Sequence, residues 1–175
     1  MRRRCIPFAL AETIFEIPAS FYQSLGVKAV LVDLDNTLDP YVVSDPTESP
    51  KKWKEALLGA GLRIVILSNN SGKRVSRYAT ELGVEHRCFM KKPFSGPLKR
   101  FLAQENLKPG EAILVGDQIM TDVQAANGAG VRCVLTEPLD PREPPWTKFN
   151  RLFDRPKRKK IKAKGLAPDW KEIVP

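Results

Sequence analysis

Short runs of β-branched and aliphatic residues recur through the middle of the chain, separated by longer polar stretches that carry helix start and stop signals. Residues 27–34 (VKAVLVDL), 63–67 (RIVIL), 112–115 (AILV) and 131–135 (VRCVL) predict buried strands, because a strand covered on both faces has no polar side to alternate with. Residues 84–89 predict a weaker fifth strand. Between them, residues 50–60, 71–82, 95–106 and 118–129 predict helices, with Pro50 near a first turn and Gly83, Pro109-Gly110 and Gly130 at the stops. Strands alternating with helices, without internal repeats, predict an α/β fold: a three-layer α/β/α sandwich around a mostly parallel sheet. Ligands of such sheets bind beyond the carboxyl ends of the strands, so the polar residues that follow each strand carry the candidate chemistry.

The first strand runs into Asp33-Leu34-Asp35, two carboxylates at spacing two, which side-chain alternation directs to one side. Two anions that close require a proton or a cation, and a hard Mg²⁺ suits oxygen ligands. The second strand ends in Ser68-Asn69-Asn70, a hydroxyl and main-chain N–H groups at a coming helix start, suited to phosphate. The fourth ends in Gly116-Asp117, with Asp122 five residues on, and Lys91-Lys92-Pro93 follows the weak strand. One cleft at the sheet edge would collect these groups.

The ordered set DLDNTL (33–38), SNN (68–70), KP (92–93) and GDQIMTD (116–122) resembles the four motifs of the haloacid dehalogenase superfamily of phosphatases. GVKAVLVDLDNTL, Trp53, Arg74 after SNN, GDQIMTDVQAANGAG, Thr147 and Arg151 are similar to a narrower YqeG-type group that includes mitochondrial phosphatidylglycerophosphate phosphatases. The resemblance covers roughly residues 12–151 and departs from the group at Asn127-Gly128-Ala129, where Arg usually follows Asn.

The resemblance implies a HAD-like, Rossmannoid phosphatase. Asp33 is then the nucleophile that forms an aspartyl-phosphate, and Asp35 the general acid that turns general base. Mg²⁺ is held by the Asp33 carboxylate, the Asp35 main-chain carbonyl and Asp117, with Asp122 orienting that shell. Ser68 and the Asn69 N–H bind phosphoryl oxygens, and Lys92 both binds the phosphate and neutralises charge between it and Asp33. Other polar and aromatic residues have plainer readings. Lys91 and the loop acids Asp39 and Asp45 read as solvated, His86 as a surface or strand residue, and Trp53, Trp146 and Trp170 as packing groups.

Composition bounds the picture further. The chain has 175 residues, 42% hydrophobic and 28% charged, which suits one globular catalytic domain. Its net charge of +9 lies at the ends: residues 1–4 hold three Arg, and residues 142–175 hold eleven Lys/Arg against four Asp/Glu. Residues 5–141 hold fifteen basic against sixteen acidic groups, so the catalytic unit is near neutral. The chain divides into an N-terminal extension (1–25), either packed on the core or facing a membrane, a catalytic domain (26–141) and a basic extension (142–175). The run 155–164 suits an anionic membrane surface, a nucleic-acid backbone or a flexible solubilising tail. Three distant cysteines without a CxxC suggest a reducing cytoplasm, and no run approaches the about 18 apolar residues of a membrane span.

Spacing limits the site's cover. Asp35 and Ser68 are 33 residues apart and Ser68 and Lys92 are 24 apart, each nearly filled by a loop and a βα unit, which leaves no room for a cap domain. An open cleft suits a phosphate carried on something large, with phosphatidylglycerophosphate, converted to phosphatidylglycerol, favoured by the resemblance. Two alternatives stay open: a basic module binding RNA or ribosomes, and an open-cleft phosphatase for phosphoproteins or nucleotides.

Overall fold

The computed structural model describes residues 3–70, 72–140, 142 and 145–173, without the side chains of Arg3 and residues 145–149. Ser71, the predicted start of a helix, and the side chains of Trp146 and Thr147 therefore lie outside the described residues.

Six parallel strands, β1 (Ala9–Ala11), β2 (Ala29–Val32), β3 (Arg63–Leu67), β4 (Glu85–Arg87), β5 (Ala112–Gly116) and β6 (Arg132–Thr136), form one sheet in the order β1-β6-β5-β2-β3-β4. The helices are α1 (Ala19–Ser24), α2 (Glu48–Gly59), α3 (Gly72–Leu82), α4 (Gly96–Gln104), α5 (Gln124–Ala129) and α6 (Pro145–Ala163). All five predicted strands are present, and the layers are those of a three-layer sandwich.

Burial explains why the apolar runs are continuous. Every residue of β2 and β5 is buried, since each has a neighbour on both sides and helices on both faces. On one face Val30, Val32, Ile64 and Ile66 meet Phe21, Trp53 and Tyr78 of α1, α2 and α3. On the other, Leu31, Val65 and Leu114 meet Leu98, Phe101 and Ala126 of α4 and α5. Full burial of a side chain such as Phe21 contributes about 1.5–3 kcal/mol, so this double layer holds the strand ends rigidly. Register does the rest. Val32 pairs with both Ile66 and Val115, so Asp33, Ser68 and Asp117 emerge within a residue of one another at the same edge.

The two extensions resolve alternatives that the sequence left open. The N-terminal extension packs on the core, with Ile14, Ile17, Phe21 and Tyr22 buried, and its residues 9–11 add an edge strand that the pattern did not predict. Residues 145–163 form a 19-residue helix rather than a flexible tail, with Ile161 fully buried. The chain then returns to the sheet, where the Leu10 N–H donates to the Pro168 carbonyl at 2.9 Å. Between Asp35 and Ser68 the described residues hold one loop, α2 and β3, with no cap domain.

Candidate active site

The carboxyl edge of the sheet gathers the predicted residues around one ammonium group. Lys92 Nζ donates to Asp33 Oδ1 at 2.6 Å, to Asp122 Oδ1 at 2.7 Å and to the Leu67 carbonyl at 2.9 Å. All three of its protons are engaged, which is the full donor capacity of a lysine. Burial opposes this cation, but Asp122 and Asp33 outweigh it and hold the ammonium above its ordinary pKa. The lysine is buried, whereas Lys91 is exposed, as the adjoining Pro93 suggested.

Asp33, Asp117 and Asp122 are all buried and offer carboxylate oxygens within 4.8 Å of one another. Burial lifts Asp33 well above the ordinary carboxylate range; Lys92 works against the rise, and Asp122, Asp117 and Asp35 add to it. Asp117 is pushed up to about 6, by burial first, with Arg151 opposing and Asp122 adding. In both, burial penalises the charged form first and a neighbouring carboxylate adds to it, so a further cation among these groups would favour their ionised forms. Asp117 Oδ1 is buried and has no hydrogen-bond partner, although its sister oxygen is paired. An orphaned carboxylate oxygen among hard oxygen donors fits a divalent cation such as Mg²⁺. The Asp35 carboxylate lies outside this cluster. It accepts from Asn70 Nδ2 at 2.7 Å and is paired with Arg74 Nη1.

A cleft of about 110 Å³ opens above these groups, lined by Asp33, Asp35, Tyr41, Ser68, Lys92 and Asn150 among others. Ser68 is buried, and its hydroxyl accepts from the Asn70 N–H at 3.0 Å. Asn69, expected to offer its main-chain N–H, has a separate use for its side chain. Its Nδ2 donates to the Lys92 carbonyl at 2.8 Å while its Oδ1 accepts from the Lys92 N–H at 2.7 Å, a two-point strap on the lysine's main chain. Asp122 is set by close packing: a Cβ at Gly116 would stand 2.4 Å from its Cγ, so the motif's glycine admits the carboxylate.

Several contributors were invisible or misread in the sequence. Asp39, read as a solvated loop acid, is buried; it accepts from Tyr78 Oη at 2.5 Å, Thr47 Oγ1 at 2.6 Å and Thr47 N at 3.0 Å, which fastens the loop after β2. Asp45 is exposed and pairs with Arg77. Arg74 bridges Asp35 to the Tyr41 and Val43 carbonyls at 3.0 and 3.1 Å. From α6, buried Arg151 pairs with Asp117 Oδ2 and donates to the Asp117 carbonyl at 2.7 Å. Arg158 reaches the Asp117 and Thr136 carbonyls, and buried Asp154 accepts from the Ile119 and Met120 N–H groups at 2.9 and 3.1 Å. Arg74 and Arg151 had stood out as group resemblances without a role. A signal for the rest was present: positions 151, 154, 158 and 161 share one helical face. Asn127, at the departure from the group pattern, ties down the N-terminus by donating to the Arg4 and Ile6 carbonyls at 3.0 and 2.8 Å. His86 is a β4 residue, Trp53 is buried and Trp170 stacks edge-on against Phe21.

Comparison with known proteins agrees with this geometry. The mitochondrial PGP phosphatase family model matches residues 1–140. The probable phosphatase YqeG of Bacillus subtilis is 28% identical over 172 residues, 98% of this chain and 99% of its own. The chloroplastic/mitochondrial phosphatidylglycerophosphate phosphatase 1 of Arabidopsis thaliana is 28% identical over 95% of this chain, which spans 51% of that protein. Among solved structures, the 3-deoxy-D-manno-octulosonate 8-phosphate phosphatase of Moraxella catarrhalis, in complex with magnesium, phosphate and KDO, superposes with TM-score 0.55 at 19% identity. That match covers 69% of this chain and 75% of the other, and it supports the fold.

Proposed function

The chain belongs to the mitochondrial PGP phosphatase family, and from that premise we propose that it is a Mg²⁺-dependent phosphomonoester hydrolase that works through Asp33 on phosphatidylglycerophosphate. It is a phosphatase of the haloacid dehalogenase type. The reading rests on one observation above all: buried Asp33, Asp117 and Asp122 converge around Lys92 beneath a cleft that Ser68 lines.

An Asp33 carboxylate oxygen attacks phosphorus, the ester P–O bond breaks, and the departing alkoxide takes a proton from Asp35. Water then attacks the aspartyl-phosphate, passing a proton back to Asp35 and releasing inorganic phosphate. Asn70 and Arg74 hold the Asp35 carboxyl for both transfers. Ser68 Oγ donates to a phosphoryl oxygen. Lys92, with its protons engaged inside the protein, moderates the negative charge on Asp33 as the anionic phosphate approaches, while Asn69 fixes its backbone and Asp122 its head. The Asp33 and Asp117 carboxylates and the Asp35 main-chain carbonyl would hold Mg²⁺, which supplies charge neutralisation and a template for the phosphoryl oxygens.

The open cleft supports a substrate that stays anchored in a larger body. With it the enzyme works from the cytoplasm as a peripheral protein at an anionic membrane. Among the described residues no helix is long and apolar enough to cross one. The test compares hydrolysis of phosphatidylglycerophosphate in vesicles, an aryl phosphate and a phosphopeptide, with Mg²⁺ and with chelator, for the natural chain and Asp33→Asn. The lipid should be preferred, with activity lost on chelation and in the variant. Activity retained by Asp33→Asn sinks the nucleophile, and indifference to the lipid sinks the substrate.

A further inference from the structure

We propose that the apolar rim of the cleft, led by Phe89 and Phe94, is the face by which the protein docks on an anionic lipid leaflet. The inference rests on the phosphatidylglycerophosphate reading and adds to it the surface that meets the bilayer.

The distribution of exposed apolar groups carries the argument. Among the described residues the large exposed hydrophobics are Val42, Leu58, Phe89, Phe94, Leu152 and Phe153. In a parallel sheet every strand-to-helix loop lies on one edge, and here that edge is the site's. Val42 follows β2 beside the cleft-lining Tyr41; Phe89 and Phe94 follow β4 on either side of Lys92. Leu152 and Phe153 lie on the exposed side of α6, whose buried side carries Arg151 and Asp154, and Leu58 lies at the far end of α2. Apolar residues scattered singly need no explanation, but two bare phenylalanines on one short loop at the site's own edge mark an interaction site.

The β4 loop holds its aromatics outward against its own backbone preference. Phe89 and Lys91 have φ of 54° and 50°, in the left-handed region that side chains with a Cβ rarely adopt. Between them Met90 points inward and is buried, its N–H donating to the Ser68 carbonyl at 3.1 Å, and the Phe94 N–H closes a turn onto the Lys91 carbonyl at 3.0 Å. With Asn69 strapping Lys92, the loop is fixed at three points, so Phe89 at 61% and Phe94 at 72% exposure are displayed by a rigid frame.

Charge selects a lipid leaflet as occupant. Outside the catalytic cluster, Asp45 is neutralised by Arg77, Glu137 by Arg158 and Lys162, and Asp140 by Arg142, with Asp39 buried, while exposed Glu12 follows β1 at the opposite end of the sheet from β4. Lys91 stands exposed on the same loop, between Phe89 and Phe94 in the chain, with no acid in salt-bridge reach among the described residues. Aromatic side chains interleaved with cations suit the headgroup boundary of an anionic membrane. The docking face is centred on the β4 loop and not on the basic run 155–164, of which Arg158 and Lys162 pair with Glu137.

The test uses the full chain and vesicles of phosphatidylcholine with or without phosphatidylglycerol, containing no phosphatidylglycerophosphate. Partition to the anionic vesicles is measured by flotation for the natural chain, for the Phe89→Asn/Phe94→Ser double variant and for Lys91→Gln. Asn tolerates positive φ, and both phenylalanines are exposed, so thermal melts and aryl phosphate hydrolysis should be unchanged. Partition should fall on the order of tenfold per aromatic, and for Lys91→Gln about fivefold on anionic vesicles only. Unchanged partition of the double variant, or no partition of the natural chain, overturns the proposal. So does a concentration-dependent self-association that the double variant abolishes, which assigns the rim to a protein partner. Failure to hydrolyse the lipid, with partition still dependent on the aromatics, removes the substrate reading and leaves the docking face standing.

Discussion

Replacing Arg151 by Met removes the guanidinium that holds Asp117 while keeping most of the stem that packs beside it. Arg151 is 7% exposed and Asp117 fully buried, so the pair is not a surface contact with negligible worth. Two charge-assisted hydrogen bonds are lost, to the Asp117 carboxylate and to its carbonyl at 2.7 Å. At about 1.5–3 kcal/mol each they total about 3–6 kcal/mol, which agrees with the about 3–5 kcal/mol for breaking one side of a buried ion pair. In a domain of this size 1 kcal/mol moves Tm by about 2–4 °C, so the variant should melt about 6–20 °C lower. The measurement is a thermal melt in chelator, where no added cation can stand in for the guanidinium. Arg151→Lys, which keeps the charge but loses the planar fork, should fall between the two. A Met variant that melts with the natural chain would refute the idea that α6 holds the metal-binding loop.

Three further outcomes follow from single contacts. Asn69→Ala cuts both bonds that strap the Lys92 main chain, so kcat on an aryl phosphate should fall about tenfold or more with KM little changed, since a small misplacement of a catalytic group costs turnover; steady-state kinetics read the split. Gly116→Ala drives a methyl to 2.4 Å from Asp122 Cγ in a backbone that cannot yield, and should cost about 1–3 kcal/mol in a denaturant melt along with most of the activity. Tyr78→Phe leaves the buried Asp39 carboxylate without its 2.5 Å donor, a loss of about 1–3 kcal/mol, and limited proteolysis should cut faster in the loop at residues 40–47.

The parts legible in the sequence are those whose physics is local. Buried strands such as 63–67 announce themselves as unbroken aliphatic runs, and groups placed at their ends must meet once the register is parallel. What escaped was set by distant partners. β1 has three residues, too short to show a period, and is held by partners far along the chain, β6 on one side and Pro168-Asp169 on the other. The strap from Asn69 to Lys92 joins loops 23 residues apart, and a motif names the residues without naming the bond. The inner face of α6 hid for another reason. Arg151, Asp154, Arg158 and Ile161 repeat at helical spacing, but three of the four are charged, so a search for an apolar stripe passes over them. Pro156, exposed within the helix, is a residue that ordinarily ends one.

That polar face has an electrostatic reason. Around the cleft stand the carboxylates of Asp33, Asp35, Asp117 and Asp122 and the cations of Lys92, Arg74 and Arg151, which together leave one negative charge. Without the arginines the centre would hold three, and burial, with neighbouring carboxylates adding, already lifts Asp33 and Asp117 above the ordinary carboxylate range. A monovalent cation would bring it only to neutrality, with nothing left to attract a phosphate. A divalent ion would bring it to one positive charge, or to two once Asp35 carries the proton that it gives to the leaving group, which a phosphomonoester dianion cancels. Inorganic phosphate leaves as an anion of similar charge, so neither binding nor release confronts a large electrostatic barrier. Removing Arg151 or Arg74 breaks that balance as well as a contact, and α6 therefore belongs to the catalytic unit as fully as the strand ends do.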